Sequence, residues 1–316
     1  MLLLRHLSCL AGLCLALASG LCWAEKPSLE YPINPSRVLL LNIMDSGKQL
    51  VAVGERGVVM LSADQASTWK SIRTSSNRTL TGVAFDSPEV GVAVGHGGAV
   101  LRTEDGGQSW TSVEADTNGD ALLGVVSMGQ GRMVTWGAFG LYLVSNDAGA
   151  SWERMSVIDE DFDRHISQII GLKDGRWLLV GESGTLAVSA DRGVTWQRLE
   201  SPYEGSFFGA VQIASGDLIA FGMRGNIWRS SDAGNTWSKG ETGTTIAFNG
   251  ALKLKSGRIL VFGNSGLIMA SDDQGQHFQR LPTTQASLAK AIQLKTGEVI
   301  AVGDRGVMTI DAGRQE

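Results

Sequence analysis

Cysteine is absent from the chain after residue 22, and histidine is scarce. All three cysteines of the 316-residue sequence lie within its first 22 residues. The rest of the chain can therefore form no disulfide, no zinc–thiolate site and no cysteine nucleophile. Only His96, His165 and His277 follow the first 24 residues, and they are too far apart for the spacing of metal ligands. We expect neither a metal site nor a catalytic cysteine.

Clustered positive charge is also missing. The chain has 27 lysines and arginines against 32 acidic residues, which gives a net charge of −5. A protein that binds the phosphate backbone needs a dense basic surface, so we expect no nucleic-acid partner. The sequence contains no Gly-x-Ser-x-Gly elbow and no Gly-Lys-Ser/Thr phosphate loop. These absences argue against several common enzyme classes and predict no cofactor.

The one long apolar run lies at the N-terminus. Arg5 precedes an apolar stretch over residues 7–21, and a Cys-x-Ala triplet follows it. This order is typical of a secretory signal peptide, here residues 1–24. The run is too short, and too often interrupted by Ser and Gly, to predict a membrane span. Lipidation at Cys22 is an alternative, although Leu21 stands where lipoprotein signals carry a small residue. We expect export to the periplasm, or to the thylakoid lumen in a photosynthetic source.

After the leader, the chain repeats a unit whose best example is Gly91–Trp110. Gly91–Gly95 alternates small and β-branched residues, as expected for a buried strand. Gly95–Gly98 predicts a tight turn, because its glycines tolerate positive φ. Ala99–Thr103 predicts a second strand, and Thr103–Trp110 predicts a longer turn that leads into a third strand.

The longer turn has the pattern [ST]-x-D-x-G-x-[ST]-W, which predicts a self-contained structural motif. Its aspartate can accept backbone N–H groups two or three residues later, and its glycine takes the left-handed conformation at little cost. The Ser/Thr side chains bond further backbone groups, and the tryptophan ring packs under the neighbouring hairpin. The first six copies recur every 41 to 44 residues and a truncated copy ends the chain, with the aspartates at Asp64, Asp105, Asp147, Asp191, Asp232, Asp273 and Asp311.

This period predicts an all-β fold, a seven-bladed β-propeller with four short strands, a to d, in each blade. The inner strands are expected to start near residues 37, 79, 121, 165, 206, 246 and 287. No linker divides the repeats, so residues 25–316 are expected to form one domain. The last repeat stops after strand c. We expect an N-terminal strand at about Leu29–Asn34 to supply the missing outer strand and close the ring.

The turn between strands b and c has the form Gly-x-x-Gly in every repeat. In a propeller the b–c turns and the d–a loops share one face, and the c–d turns lie on the other. The aspartate turns are nearly uniform and are therefore predicted to be structural, whereas the variable face is predicted to carry specificity. Three blades place arginine at the third position of the b–c turn, as Arg56, Arg224 and Arg305.

The aspartate turns resemble the Asp-box, or BNR, repeats of sialidases, sortilin-type ectodomains and other propellers. More narrowly, the pattern VAVGxxGxVLRTxDGGxSW resembles the repeat of the photosystem II stability/assembly factor family, over about Arg37–Gly313. The resemblance implies an exported, seven-bladed, non-enzymatic chaperone that binds an unassembled membrane subunit through an arginine-rich surface. Relatives in non-photosynthetic bacteria hint at envelope transport machinery.

We therefore predict a non-enzymatic binding or assembly factor for an envelope or thylakoid-type membrane-protein complex. The partner is expected to be a membrane-protein subunit or an envelope transport complex, and the chain is expected to be a monomer without a membrane span. Arg305, Arg56 and His96 fall on neighbouring blades and are expected to form a basic patch, partly neutralised by Glu55 and Asp304. The predicted contact residues are Arg56, His96, Phe139, Phe162, Arg224 and Arg305.

The longest d–a loop, Ser156–Arg164, carries four carboxylates around Phe162. It lacks the spacing and the turn glycine of an EF-hand, so we interpret it as a solvated acidic loop rather than a Ca²⁺ site. Phe162, Phe139 and Tyr203 fall on the same face. Each is a candidate apolar anchor for a partner, with local packing as the alternative role.

Two other functions stay open at this point. A sialidase-like glycoside hydrolase needs three arginines around a carboxylate and a tyrosine nucleophile beside a glutamate. Arg37 stands near the first arginine's place without its motif, and Tyr203 next to Glu204 is the only candidate nucleophile pair. A carbohydrate- or small-ligand-binding propeller would instead show aromatic side chains in the central channel. The tryptophans of the b and c strands are expected between blades: Trp136, Trp177 and Trp228.

Overall fold

The computed structural model describes residues 33–313, and its regular structure is antiparallel β-sheet with single 3-10 turns between strands b and c of most blades. Seven sheets follow one another along the chain, and in six of them four strands pair in the order a-b-c-d. The seventh sheet has three strands among the described residues. The inner strands contact one another in sequence, and that of blade 7 also contacts that of blade 1. The predicted seven-bladed β-propeller is confirmed.

The inner strands begin one to three residues after their predicted positions. The strands of blades 1 to 4 are β1 (Leu40–Asp45), β2 (Leu50–Gly54), β3 (Val58–Ser62), β4 (Lys70–Arg73), β5 (Leu80–Phe85), β6 (Gly91–Gly95), β7 (Val100–Thr103), β8 (Thr111–Ser112), β9 (Leu122–Gly129), β10 (Arg132–Gly137), β11 (Tyr142–Ser145), β12 (Glu153–Arg154), β13 (Ile166–Gly171), β14 (Trp177–Gly181), β15 (Leu186–Ser189) and β16 (Gln197–Arg198). The strands of blades 5 to 7 are β17 (Phe207–Gln212), β18 (Leu218–Gly222), β19 (Ile227–Ser230), β20 (Ser238–Gly240), β21 (Phe248–Lys253), β22 (Ile259–Gly263), β23 (Ile268–Ser271), β24 (Gln279–Arg280), β25 (Leu288–Gln293), β26 (Val299–Gly303) and β27 (Gly306–Ile310).

The hydrophobic core lies between the blades. Strands b such as β2, β6 and β22 are buried along their whole length, because each is covered by neighbours on both faces. Val51 and Val53 of blade 1, for example, share one apolar cluster with Leu80 and Trp110 of blade 2. Each blade thus completes the core of the next, so the ring is expected to fold as a unit.

The ring closes where blade 7 meets blade 1. Leu40 of blade 1 shares an apolar cluster with Ile300 of blade 7, and the Val307 N–H donates to the Pro35 carbonyl at 2.8 Å. The predicted closing strand at about Leu29–Asn34 lies largely outside the described residues. Ile33 and Asn34, which are described, are not part of a strand. The predicted signal peptide, residues 1–24, also lies outside the described residues. Within residues 33–313 no helix is long and apolar enough to cross a membrane.

The end of the described chain is held by blade 6. The buried Arg258 guanidinium donates to the carbonyls of Ala312 and Gly313 at 2.9 Å each. It also lies 3.2 Å from the Asp272 carboxylate. One arginine therefore fastens the last turn of blade 7 onto its neighbour.

The turns and loops divide between two faces. The a–b turn of blade 1 contacts the c–d turn of blade 2, since the Gln49 side chain donates to the Gly106 carbonyl at 2.7 Å. On the opposite face the d–a loop contacts the b–c turn, since the Thr74 hydroxyl donates to the Gly57 carbonyl at 2.9 Å. We call the first surface the Asp-turn face and the second the GxxG face. This division matches the one expected from the sequence.

Candidate binding face

The Asp turns bond almost entirely to themselves. In blade 2 the Asp105 carboxylate accepts hydrogen bonds from the Ser109 N–H at 3.0 Å, the Ser109 hydroxyl at 2.6 Å and the Thr103 hydroxyl at 2.8 Å. The Gly107 N–H donates to the Thr103 hydroxyl at 2.9 Å, and the Trp110 ring N–H donates to the Gly107 carbonyl. The five residues close one cage, which leaves little of the aspartate free for a ligand.

These hydrogen bonds hold the aspartates ionised. Burial opposes ionisation of Asp105, but the bonds from Ser109 and Thr103 outweigh it and lower the pKa of its carboxyl to about 2. The same balance of burial and hydrogen bonds lowers the pKa of Asp147 and of Asp191 to about 2. For Asp232 the bond from Thr236 is the chief cause of a pKa of about 2. The Asp turns are therefore a repeated structural element.

Turns with a different sequence keep the same bonds. In blade 6, His277 takes the place of Ser or Thr, and its N–H and ring Nδ1 contact the Asp273 carboxylate at 2.9 and 2.6 Å. In blade 1, Ala66 replaces the glycine and adopts the left-handed backbone with φ +68°. The truncated last turn differs, because Asp311 accepts the N–H of Gly313, two residues later, at 2.8 Å.

The b–c turns on the GxxG face have a different design. Their fourth residue must be glycine, because a Cβ at Gly57 would lie 2.0 Å from the Ser76 carbonyl of the d–a loop. In blades 1 to 6 the third residue adopts the left-handed backbone, with φ +53° at Arg56, +52° at Phe139 and +56° at Arg224, whereas Arg305 of blade 7 does not. A non-glycine residue in this region costs about 1–2 kcal/mol. The chain places bulky side chains here although glycine, as at Gly97, fits the same turn.

The predicted basic side chains of this face are exposed and unengaged. Among the described residues, Arg56, Arg224, Arg305 and His96 are exposed and form no ion pair. Some arginines elsewhere are bonded into the fold, as in the pairs Arg229–Asp217 and Arg176–Asp174, whereas Arg154 and Arg280 on outer strands are exposed like those of the GxxG face. The free guanidinium groups of the GxxG face are therefore available to a partner.

The structure adds two arginines that the sequence analysis did not select. Arg78, in the d–a loop between blades 1 and 2, lies against Gly97, where a Cβ would be 3.2 Å from the Arg78 Nε. Arg37 lies exposed in the segment that leads into β1. One feature of the sequence could have indicated Arg78. Glycine at the third position of the blade 2 turn, Gly97, leaves room for a side chain from the d–a loop. We call the set Arg305, Arg37, Arg56, Arg78 and His96 the basic arc; it covers blades 7, 1 and 2.

The glutamate of the blade 1 turn, which stands beside Arg56, is hydrogen-bonded within its own blade. The Glu55 carboxylate accepts the Leu39 N–H at 3.1 Å, and Glu182 accepts the His165 N–H at 3.1 Å in blade 4. These second residues of the b–c turn thus cap the entry to their own inner strand. Asp304 remains exposed beside Arg305.

The apolar candidates separate into one exposed and two packed residues. Phe139 is 61% exposed, the highest value among the large apolar residues that the structure describes, and its ring stands edge-on to His165 at 5.0 Å. Phe162 is half-buried against the cluster between blades 3 and 4, with the Arg198 guanidinium 5.9 Å from its ring. Tyr203 packs against Phe207 and Trp228. Phe139 is thus the residue best placed to anchor a partner.

The acidic loop lies on the same face beside blades 3 and 4. Its Asp159 pairs with Arg198 at 3.1 Å, and Asp163 lies 3.8 Å from Arg164. Within residues 33–313 no three His, Cys, Asp or Glu side chains are grouped so that they could hold a metal ion. The GxxG face is therefore divided into a basic side and an acidic side.

The central channel does not carry the side chains of a sialidase. It has a volume of about 520 Å³ and is bordered by the inner strands of all seven blades. None of the described residues that line it is an arginine, an aspartate or a glutamate. The Tyr203 hydroxyl lies in a d–a loop instead, where it accepts a hydrogen bond from Asn226 at 3.2 Å. Of the tryptophans expected between blades, Trp177 and Trp228 pack into inter-blade clusters, whereas buried Trp136 also borders the channel.

The repeated turns with internal hydrogen bonds and the closed ring of seven sheets define a seven-bladed β-propeller of the BNR-repeat type. Its variable side chains lie on one face. The chain belongs to the family described as "Photosynthesis system II assembly factor YCF48", whose family model matches residues 61–246. No curated protein sequence matches the chain.

Solved structures agree with this fold. The structure described as "YCF48 bound to D1 peptide" has a TM-score of 0.73 and 18% identity, over 88% of this chain and 94% of that chain. YCF48 from Cyanidioschyzon merolae has a TM-score of 0.71 and 17% identity, over 87% and 95%. A streptogramin B lyase is equally similar in fold, with a TM-score of 0.74 at 11% identity over 87% and 94%. At these identities the structural likeness shows the fold alone. The family supports a binding role in assembly.

Proposed function

We propose that this chain is an exported, non-enzymatic assembly factor that binds an extramembrane segment of a membrane-protein subunit on its GxxG face. Membership in the YCF48 family supports a binding role, and one YCF48 structure is described as bound to a D1 peptide. The complex that this chain serves is an envelope complex, or a thylakoid complex in a photosynthetic source.

The observation that carries the proposal is the unengaged charge of the basic arc. Four of its five members project from neighbouring b–c turns or lie over one, and none is paired with a carboxylate among the described residues. Desolvated arginines on a partner's carboxylates contribute strongly to binding and to orientation. The partner segment is therefore acidic.

Phe139 supplies the apolar part of the same surface. It is exposed, it sits on a backbone conformation that costs free energy, and a fixed b–c turn holds it in place. Strain that is kept at an exposed aromatic residue is typical of a binding site. We infer that Phe139 enters an apolar pocket or groove of the partner.

Charge reversal at two arc positions tests the proposal. The double variant Arg56→Glu and Arg305→Glu should weaken capture of the partner from native membranes by about tenfold or more. Its melting temperature should not change, because neither side chain bonds within the fold. The captured subunit is identified by mass spectrometry, and its extramembrane segments are then titrated as synthetic peptides.

A matched control distinguishes loss of the GxxG face's charge from a general change in the net charge of the protein. Lys295→Glu with Lys70→Glu reverses two exposed cations away from the GxxG face, one on an a–b turn and one at the start of an outer strand beside an Asp turn. This control should capture the partner as the wild type does. Equal loss in both variants, or no loss in either, would rule out the basic arc as the binding surface.

A further inference from the structure

The central channel contains a layer of side chains that the fold does not require. One position of each inner strand pairs with the same position of strand b in every blade, as Lys290 does with Val302 and Asn42 with Val53. In four blades this position is glycine: Gly82, Gly124, Gly209 and Gly250. The remaining three blades carry polar side chains there: Asn42, Gln168 and Lys290.

The glycines are explained by packing. A Cβ at Gly124 would lie 2.4 Å from the Trp136 ring, and a Cβ at Gly250 would lie 2.5 Å from the Phe262 ring. Gln168 is explained in part, since its side-chain oxygen accepts the Ala210 N–H of the next blade at 2.8 Å. Packing and bonding within the fold do not explain Lys290 and Asn42, which are on adjacent blades.

Lys290 is a half-buried cation with no partner among the described residues. Its side chain makes no hydrogen bond and no ion pair there, and the described residues that line the channel include no carboxylate. Burial lowers the pKa of the Lys290 amine, because the surroundings disfavour its charged form. An unpaired charge in this position destabilises the empty protein, and a bound anion would compensate it.

The channel continues from Lys290 toward the Asp-turn face. A second hollow of about 440 Å³ shares Lys290 and Gln168 with the first and is bordered by Lys173 and Lys253. The Lys173 ammonium donates to the carbonyls of Ile213 and Ala214 at 3.1 and 2.7 Å, so it is already engaged. Lysines are the only charged residues among the described ones that border this hollow.

The wall around this layer is partly apolar and partly polar. Val126 and Phe85 are half-buried apolar residues that line the larger hollow, and the half-buried polar residues Thr81, Ser167 and Asn249 line it too. Its volume lies in the range of small-molecule sites, which combine apolar surface with a few fixed polar groups. A ligand that fits combines a small organic body with a negative charge.

We propose that the channel binds a small organic carboxylate, whose carboxylate group pairs with Lys290 and whose organic body lies against the channel wall. The Asn42 side-chain amide, one blade away in the same layer, donates a second hydrogen bond to the carboxylate. Lys253, which borders the second hollow, also makes no side-chain hydrogen bond and no ion pair within residues 33–313. Inorganic phosphate has no organic body to contact the channel wall, so it should bind more weakly than an organic carboxylate. This site is separate from the GxxG face and independent of partner binding.

Calorimetric titration of the mature protein tests the proposal with octanoate and phenylacetate as probes, and with octanamide and inorganic phosphate as comparisons. We expect octanoate or phenylacetate to bind, and octanamide and phosphate to bind at least about tenfold more weakly. Equal binding of octanamide or phosphate would overturn the proposed chemistry. No binding of either carboxylate would overturn the site.

A lysine variant locates the site. Lys290→Met should bind the carboxylate about tenfold or more weakly, whereas Lys295→Met, at an exposed lysine outside the channel, should bind as the wild type does. Without ligand, Lys290→Met should melt at a higher temperature, which shows that it is folded. Unchanged carboxylate binding in folded Lys290→Met would contradict the proposal, and partner capture on the GxxG face should be the same in both variants.

Discussion

The two faces of the propeller use similar turns for opposite purposes. On the Asp-turn face, side chains such as Asp105 and Thr103 bond back to their own turn. On the GxxG face, side chains such as Arg56 and Phe139 leave a turn of fixed backbone and enter solvent. Both faces include non-glycine residues with left-handed backbone, Ala66 on the first and Phe139 on the second. The difference lies in where the side chain goes.

The two faces separate the stability of the repeated fold from recognition of a partner. Sequence uniformity on the Asp-turn face follows from hydrogen-bond geometry that few residues satisfy. Variation on the GxxG face is tolerated because only the glycines of each turn meet a steric limit, as Gly57 does against Ser76. Mutations on the first face should therefore change stability, and mutations on the second should change binding.

Acid is expected to have the largest effect, because it acts on all Asp turns at once. The folded-state pKa of Asp105, Asp147, Asp191 and Asp232 is about 2, below the usual value for aspartate in an unfolded chain. A lowered folded-state pKa adds stability above the unfolded-state pKa, and this stability is lost as pH falls toward the folded-state pKa. The melting temperature should be level from about pH 7 to 5 and should fall between about pH 4 and 2. Circular dichroism melts measure it, and a level profile down to pH 2 would contradict the role of these turns.

A single Asp turn should show the next largest effect. Asp105→Ala removes the acceptor of three hydrogen bonds and leaves the Ser109 N–H without its partner, so the free energy of unfolding should fall by about 2–3 kcal/mol. Partner capture by the folded fraction should not change. Chemical denaturation measures the loss, and Glu114→Ala, at an exposed acidic residue of the same blade, is the control that should leave stability within about 0.5 kcal/mol of wild type.

Phe139→Gly should have a small effect on stability and a clear effect on binding. Glycine already occupies this turn position in blade 2, and it relieves the left-handed strain at φ +52°, so the free energy of unfolding should rise by up to about 1 kcal/mol. Partner affinity should fall by about tenfold, as expected for a central aromatic contact. Denaturation and peptide titration measure the two effects. A variant that is destabilised, or that binds as well as wild type, would contradict the division between the faces.

The fold was predictable because each repeat contains the local sequence patterns of its own strands and turns. The spacing of Asp64 to Asp273 and the Gly-x-x-Gly turns are local patterns, and seven copies reinforce one another. The candidate face followed from the same counting, which placed Arg56, Arg305 and His96 on adjacent blades. The sequence did not predict which side chains are exposed on that face, because whether a side chain is packed or exposed depends on neighbouring blades.

Contacts between blades explain what the sequence did not show. Arg78 joins the basic arc only because Gly97 of the next blade leaves space beside it. Phe162 and Phe139 look alike in sequence, yet one packs against an inter-blade cluster and the other is exposed. In the sequence, Lys290 looks like a residue of an ordinary half-buried strand. Only the pairing of strands a and b shows that the equivalent residues in other blades are glycine, asparagine and glutamine.

Site-specific photo-crosslinking in native membranes tests the central claim most directly. Benzoylphenylalanine is introduced in place of Phe139 and of Met223, which are exposed on the GxxG face, and in place of Val194, which is 46% exposed on the Asp-turn face. The account predicts adducts with one membrane-protein subunit from positions 139 or 223, and none from position 194. Adducts of that subunit from position 194 alone would contradict it and would assign partner binding to the Asp-turn face.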